Sequence, residues 1–260
     1  MNLLISAALP SKDLNDVVVL LTATVSPNSP RLAGVVADES ERRSQYIESI
    51  RMWSRASEQF GFRLAVVETS GESRESLLRL VDGAPERIQT VTFLPDDRTV
   101  SRGKGAAELA AVQFALGQLT ACTDETAVYK VTGRLMLRNP EIIRHLEPDD
   151  VLVRMTLDRS FADTRILGAS KRVWMGLFAD TGVDLDDDSG LFLEHFIAGQ
   201  VARASALQQV RLQRFSSRPE FIGTSGQSGL SYDTRRPRIW RRLGRIGEDF
   251  LSWLGSRKQV

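Results

Sequence analysis

Residues 17–23, VVVLLTA, constrain the fold more than any other stretch of the chain. Five valines and leucines in succession leave no polar face. Such a run is a buried strand rather than one with a wet side. It feeds directly into the Ser/Asn/Pro loop TATVSPNSP, residues 22–30. Residues 38–60 then place Tyr46, Ile47, Ile50, Trp53 and Ala56 at helical spacing, and Gly61 stops them. The same rhythm continues. Strands are expected at residues 63–71, 88–95, 126–133, 150–157 and 165–174, with a last one at 210–215. Helices are expected at 73–80, 103–119, about 171–180 and 190–206.

Strand–helix–strand alternation with short links predicts an α/β architecture, a largely parallel central sheet flanked by helices. Ligands on such sheets bind outside the carboxyl ends of the strands. Four polar loops fall there: 22–29, 68–71, 96–104 and Thr132-Gly133-Arg134. No repeat or low-complexity linker interrupts the chain before about residue 217. The expected organisation is a leader over 1–15, one domain over 16–233 and an extension over 234–260. The leader lacks the basic n-region of a signal peptide.

Charge separates the extension from the body. The net charge of +1 conceals eight Lys/Arg and two acids in 234–260, a local +6 that leaves −5 for the rest. Residues 235–254 space Ile239, Leu243, Ile246, Phe250 and Trp253/Leu254 helically, with arginines on the flanks. That pattern suits an anionic membrane surface, or packing on the domain or on a second copy. Nucleic acid is not expected, because the body is acidic and aromatic interleaving is confined to Trp240 and Trp253. No segment reaches the roughly 20 apolar residues of a membrane span. The single cysteine, Cys122, precludes an internal disulfide and suits a reducing, cytoplasmic setting. With only His145 and His195 besides it, any divalent metal would need carboxylates.

The loops narrow the chemistry. TATVSPNSP has neither the Gly-Lys-Ser/Thr ending of a phosphate loop nor the Gly-x-Gly-x-x-Gly of dinucleotide enzymes. Gly103-Lys104-Gly105 opens a strong helix, whose amides favour an anion at that end; Arg102 and Lys104 add full charges. The alternative is an ordinary glycine-rich helix start. In KVTGR, Gly133 permits close approach and Arg134 offers a planar fork to a phosphate or sugar; the alternative is a β-bulge.

Taken in order, Gly103-Lys104-Gly105 with Glu108, then Lys130 and Thr132-Gly133-Arg134, resemble a compact bacterial glycosyltransferase of the GT-A type. The chain is similar in particular to capsule- and surface-polysaccharide glycosyltransferases that pair a GKG…E helix start with a KxTGR strand end. The later pieces ILGASKRVW (166–174), LEHF (193–196) and PEFIGTSGQSG (219–229) also fit, so the resemblance spans about residues 16–232. It implies a GT-A-like, Rossmann-like fold, a nucleotide-sugar donor, and a glycan or lipid-linked acceptor at the inner face of the plasma membrane. By position it places Thr22, Thr24 and Glu68 near the nucleotide base and ribose. Arg102, Lys104, Gly105, Lys130, Thr132, Gly133 and Asp158 complete the expected donor site.

One departure matters. GT-A enzymes usually carry an Asp-x-Asp after the fourth strand, holding a divalent ion against the donor diphosphate. Here Thr132-Gly133-Arg134 stands in that place, so metal-independent transfer is expected, with Arg134 in the catalytic role. Manganese or magnesium enters only if other aspartates supply the ligands: Asp96-Asp97, the run 184–188, or Asp158 and Asp163. For an inverting reaction the expected base is Glu194, one charge in the apolar stretch GLFLEHFIAG. The competing functions are a non-catalytic nucleotide- or glycan-binding relative and, less favoured, a sugar nucleotidyltransferase. The latter needs a glycine-rich basic loop that TATVSPNSP lacks.

Overall fold

A computed structural model describes residues 14–27, 29, 32, 38–72, 88–179, 185–223 and 232. The predicted helix at 73–80, most of the leader and all of the extension lie outside these. Leu14, assigned to the leader, is buried and donates its amide to the Phe60 carbonyl, so it belongs to the core.

The expected mostly parallel sheet flanked by helices is present. Its strands are β1 (Val17–Ala23), β2 (Arg63–Glu68), β3 (Ile88–Thr92), β4 (Ala127–Thr132), β6 (Asp150–Leu152), β7 (Ile166–Ser170) and β8 (Arg211–Gln213), in the order β3-β2-β1-β4-β7-β6-β8. β5 (Met136–Leu137) pairs apart from this sheet with β9 (Phe221–Ile222). Within the main sheet only β7 runs against the others, antiparallel to both β4 and β6.

Helices cover both faces: α1 (Glu39–Phe60), α2 (Asp97–Ser101), α3 (Lys104–Gln118), α4 (Lys171–Met175) and α5 (Leu193–Ala206). Because successive strand residues face opposite sides, β1 divides its run between two cores. Val17, Val19 and Leu21 pack with Tyr46, Ile50 and Trp53 of α1. Val18 and Leu20 pack with Leu109, Val112 and Leu116 of α3 and with Ile197 and Val201 of α5. The run is continuous for this reason. Each fully buried Val or Leu contributes about 1.5–3 kcal/mol.

The second half departs from the predicted spans. β6 stops at Leu152, where a strand was predicted through 157, because the chain turns back on itself between Met155 and Ala162. β7 stops at Ser170, whose hydroxyl accepts from the Val173 amide and caps α4. That helix ends at Met175, before Gly176, and does not run to 180. α5 starts at Leu193 because Leu191 is bridged to Asp186.

The strand order sets the position of a cleft. The chain moves outward from β1 to β2 and β3, then returns to β4 on the other side of β1. The connections leave opposite faces: α1 packs on one core, α3 on the other. The crevice beyond the carboxyl ends of β1 and β4 is therefore a topological switch point, where open α/β sheets hold ligands. Thr22 and Thr132, register partners across β1 and β4, form its floor.

Candidate active site

A cleft with two lobes opens above this floor. The first lobe, about 670 Å³ including the part open to solvent, lies between Arg134, Thr164, Arg165, Asp187, Glu194 and Tyr232. The second, about 480 Å³ on the same measure, lies between Thr22, Thr24, Arg42, Tyr46, Thr69 and Arg134. Lys104, Glu108, Thr132 and Arg134 belong to both.

Arg134 is presented by a tight turn after β4, closed by the Leu135 amide on the Thr132 carbonyl at 2.9 Å. Gly133 donates to the Thr22 carbonyl at 2.9 Å, and a Cβ there would stand 2.4 Å from that oxygen. The close approach at Gly133 is thus that of β1. Its consequence is to aim the next side chain. Arg134 is 4% exposed, and its Nε and Nη1 have no hydrogen-bond partner. Buried guanidinium nitrogens are normally satisfied, so Arg134 retains unused donor capacity in the wall of the cleft.

Lys130 and Glu108 are, by contrast, committed to each other. Lys130 Nζ lies 2.6 Å from Glu108 Oε1 and also donates to the Thr164 carbonyl at 2.8 Å. Glu108 further accepts from the Thr22 hydroxyl at 2.7 Å. Burial alone would raise the pKa of the Glu108 carboxyl. The charge and hydrogen bond of Lys130, with Lys104 and Thr22, outweigh it and hold the group below the usual carboxylate range.

At the start of α3, the anion expected at the helix N-terminus is supplied by the protein. Asp187 Oδ2 accepts from the Lys104 amide at 2.8 Å, and the Asp187 amide donates to the Arg102 carbonyl at 3.0 Å. Gly103 has φ +102°, and a Cβ on it would stand 2.2 Å from Asp187 Oδ2. Gly105 packs against Leu193, which brings α5 against α3. The glycines therefore serve the approach of residues 187–193. Lys104 lines both lobes. Burial lowers its pKa; Glu108 opposes this, while Arg134, Arg42 and Lys130 reinforce it. Arg102 turns away from both lobes and donates through Nε to the Leu185 carbonyl at 2.8 Å.

The second lobe gathers residues that the sequence reading missed. Arg42 is buried and donates to the carbonyls of Thr24 and Val25. The Tyr46 hydroxyl, its pKa raised by burial, accepts from the Thr24 amide at 2.9 Å. Thr24 and Thr69 pair their hydroxyls at 2.6 Å. A signal for Arg42 existed: it holds the buried register of α1 with Tyr46, Ile50 and Trp53, an improbable place for a charge. Glu68 is wholly buried beneath this lobe's loops. Its carboxylate accepts from the amides of Val25, Ser70 and Glu72 at 3.0, 2.9 and 3.1 Å, binding the loops after β1 and β2 together.

Glu194, in the first turn of α5, lines the first lobe and accepts from the Thr164 hydroxyl at 2.9 Å. His195 points elsewhere, between Phe161 and Phe192. Arg165 pairs with Asp163 and stacks on Phe221 and Tyr232 at 4.4 and 4.8 Å. Asp158 lies outside both lobes, in an exposed turn. Bonds from the Thr156 hydroxyl and from Ser160 lower its pKa to about 2.

Among the described residues no group of three or more His, Cys, Asp or Glu side chains is placed to hold a metal ion. Asp96 caps α2 through the Thr99 amide, Asp186 accepts from the Asp188 amide, and Asp163 faces Arg165. Asp184 is outside the described residues. No described helix is long and apolar enough to cross a membrane.

No protein-family model matches the chain, and no curated protein matches its sequence. Solved structures align with it at low identity. The galactosyltransferase LgtC, in complex with donor and acceptor sugar analogues, aligns at 12% identity and a TM-score of 0.43, covering 60% of this chain and 59% of that one. A Desulfovibrio desulfuricans G20 protein, provisionally named a nucleotide-diphospho-sugar transferase, aligns at 12% identity and a TM-score of 0.47, covering 77% and 80%. The inositol-1-phosphate CTP transferase of T. maritima aligns at 10% identity and a TM-score of 0.48, covering 89% and 96%. The chain thus spans about three-fifths of LgtC.

Proposed function

We propose that the protein is a glycosyltransferase. It moves a sugar from a nucleotide-sugar donor to a glycan or lipid-linked acceptor in bacterial surface-polysaccharide synthesis. The observation that carries this is the unpartnered, buried guanidinium of Arg134, standing with Lys104 where the two lobes meet. Two cations at that junction suit a diphosphate spanning both lobes. The nucleoside then occupies the lobe of Thr22, Thr24 and Thr69, and the transferred sugar and acceptor occupy the lobe of Glu194.

In this reading the acceptor oxygen forms a bond to the anomeric carbon and passes its proton to Glu194. The bond from that carbon to the diphosphate oxygen breaks, and the leaving group keeps the electron pair. Arg134 and Lys104 stabilise the charge that develops there, replacing a divalent ion. Manganese or magnesium has no role unless the aspartates rearrange around it. The basic segment 235–254 holds the enzyme on an anionic membrane, at the inner face, beside a lipid-linked acceptor.

The test is thermal shift against nucleoside diphosphates and nucleotide sugars, each with manganese and with EDTA. One diphosphate is expected to raise the melting temperature equally in both, by mass action. A shift that requires manganese overturns metal independence. No shift with any nucleotide removes the donor site. Glu194→Gln is expected to keep the shift and lose transfer. Wild-type protein that binds nucleotide without transfer or donor hydrolysis is the non-catalytic relative.

A further inference from the structure

Thr164 lines the first lobe and is committed in two directions. Its carbonyl accepts from Lys130 Nζ at 2.8 Å, and its hydroxyl donates to Glu194 Oε1 at 2.9 Å. Lys130 is paired in turn with Glu108, which also accepts from the Thr22 hydroxyl in the second lobe. An unbroken run of polar contacts therefore joins Thr22, Glu108, Lys130, Thr164 and Glu194, from one lobe to the other.

The backbone around Thr164 is pinned on both sides. The Thr132 amide donates to the Arg165 carbonyl at 3.0 Å, at the end of β4, and the Ala162 amide donates to the Glu194 carbonyl at 3.1 Å, at the start of α5. These bonds fix where the main chains stand. They do not fix the glutamate side chain, which has several torsions to settle. Among the described residues the Thr164 hydroxyl is the one hydrogen-bond partner of the Glu194 carboxylate. At 5% exposure Thr164 has little water to bond instead. Leu167, Trp174 and Ile197, which share a small space behind it, have no side-chain acceptor; Glu108, in the same space, is taken by Lys130 and Thr22.

We propose that Thr164 is a positioning residue for the transfer reaction. Its hydroxyl holds one oxygen of Glu194, so that the carboxylate meets the first lobe in one orientation. The Lys130–Glu108 pair holds Thr164 through its carbonyl. This rests on the reading of Glu194 as the base. Thr164 touches no reacting atom; its contribution is the orientation that proton abstraction needs, where a misplacement of about 1 Å costs on the order of a hundredfold in rate.

The test compares wild type with Thr164→Val and Thr164→Ala, which lack the hydroxyl, and with Thr164→Ser, which keeps it. Glu194→Gln is the reference. Hydrolysis of UDP-glucose, UDP-galactose, UDP-N-acetylglucosamine and GDP-mannose is followed by release of the nucleoside diphosphate. Water is the acceptor: its oxygen bonds to the anomeric carbon, its proton passes to Glu194, and the diphosphate leaves with the electron pair. Thr164→Val is expected to lower kcat about tenfold or more with KM for the donor unchanged, and Thr164→Ser to recover most of it. A substrate-free readout runs alongside: NMR of protein carrying isotope-labelled glutamate carboxyls, with the Glu194 resonance assigned by its loss in Glu194→Gln. That resonance is expected to move in Thr164→Val and Thr164→Ala and to stay in Thr164→Ser. A resonance unmoved in the folded hydroxyl-free variants overturns the proposal. So does a wild-type kcat in them while Glu194→Gln is inactive, which leaves Glu194 as the base. A raised KM with kcat kept, or no recovery in Thr164→Ser, makes the contact structural only and also overturns it. Glu194→Gln as active as wild type, or no hydrolysis of any donor by wild type, sinks the transfer reading, and the role of Thr164 in it goes too.

Discussion

Lys130 Nζ lies 2.6 Å from Glu108 Oε1, whose residue lines both lobes, while Nε and Nη1 of Arg134, in the same wall, have no hydrogen-bond partner. Lys130 is buried and its charge is matched. Arg134 is equally buried and two of its nitrogens are not satisfied. The protein thus keeps a buried, partly unpartnered charge at the switch point of its sheet.

Removing that cost should stabilise the protein and abolish its function. Arg134→Met is expected to raise stability by about 1–2 kcal/mol, since an unpaired buried polar group is replaced by an apolar one. The same variant should lose the nucleotide-induced thermal shift. Urea denaturation and thermal shift on the one sample check both halves. A destabilised variant that still binds nucleotide contradicts this role.

Glu108 makes stability depend on acid. Its folded pKa is depressed, so the stability it contributes is present above its unfolded pKa, near 4.3 for a glutamate, and is lost as pH falls through the lower folded value. The window is the range below that unfolded value. Urea midpoints measured across this range should fall more steeply for wild type than for Glu108→Gln. At neutral pH, Lys130→Met should cost about 3 kcal/mol, because it strands the carboxylate.

Lys104 sets an alkaline limit on anion binding. Its folded pKa is lowered by burial, so its charge disappears at a pH below the usual lysine value of about 10.4. A bound diphosphate favours the charged form. Binding should therefore take up protons as pH rises through this range, and affinity should fall. Calorimetry in buffers of different ionisation enthalpy measures the uptake. Lys104→Arg should move the fall to higher pH.

Gly133 should tolerate no side chain. The Cβ of Gly133→Ala would stand 2.4 Å from the backbone oxygen of Thr22, which cannot swing aside as a flexible side chain would. The expected cost is about 1–3 kcal/mol, the range for overpacking. It should come with weakened nucleotide binding, because the turn that aims Arg134 shifts. Stability kept within error would show that β1 yields at this point.

Residues 17–23, 39–60 and 104–118 were legible as elements before any coordinates, because each carries a periodicity that burial imposes on local sequence. The buried run of β1 implied a central strand, and the polar loops after the strands implied a cleft beyond them. Lys104, Thr132 and Arg134 were nominated that way, and all three line both lobes. Local pattern is blind to partners distant in the chain. Asp187 fills the helix start reserved for a ligand, 83 residues from Lys104. Lys130 pairs with Glu108, Glu68 binds two loops, and Asp158 closes its own turn. Each is a polar residue in a plausible position, and its identity does not record whether a neighbour already satisfies it. Charge and spacing nominate a site residue. Whether that residue remains free to bind depends on which donors and acceptors the chain brings within about 3 Å of it.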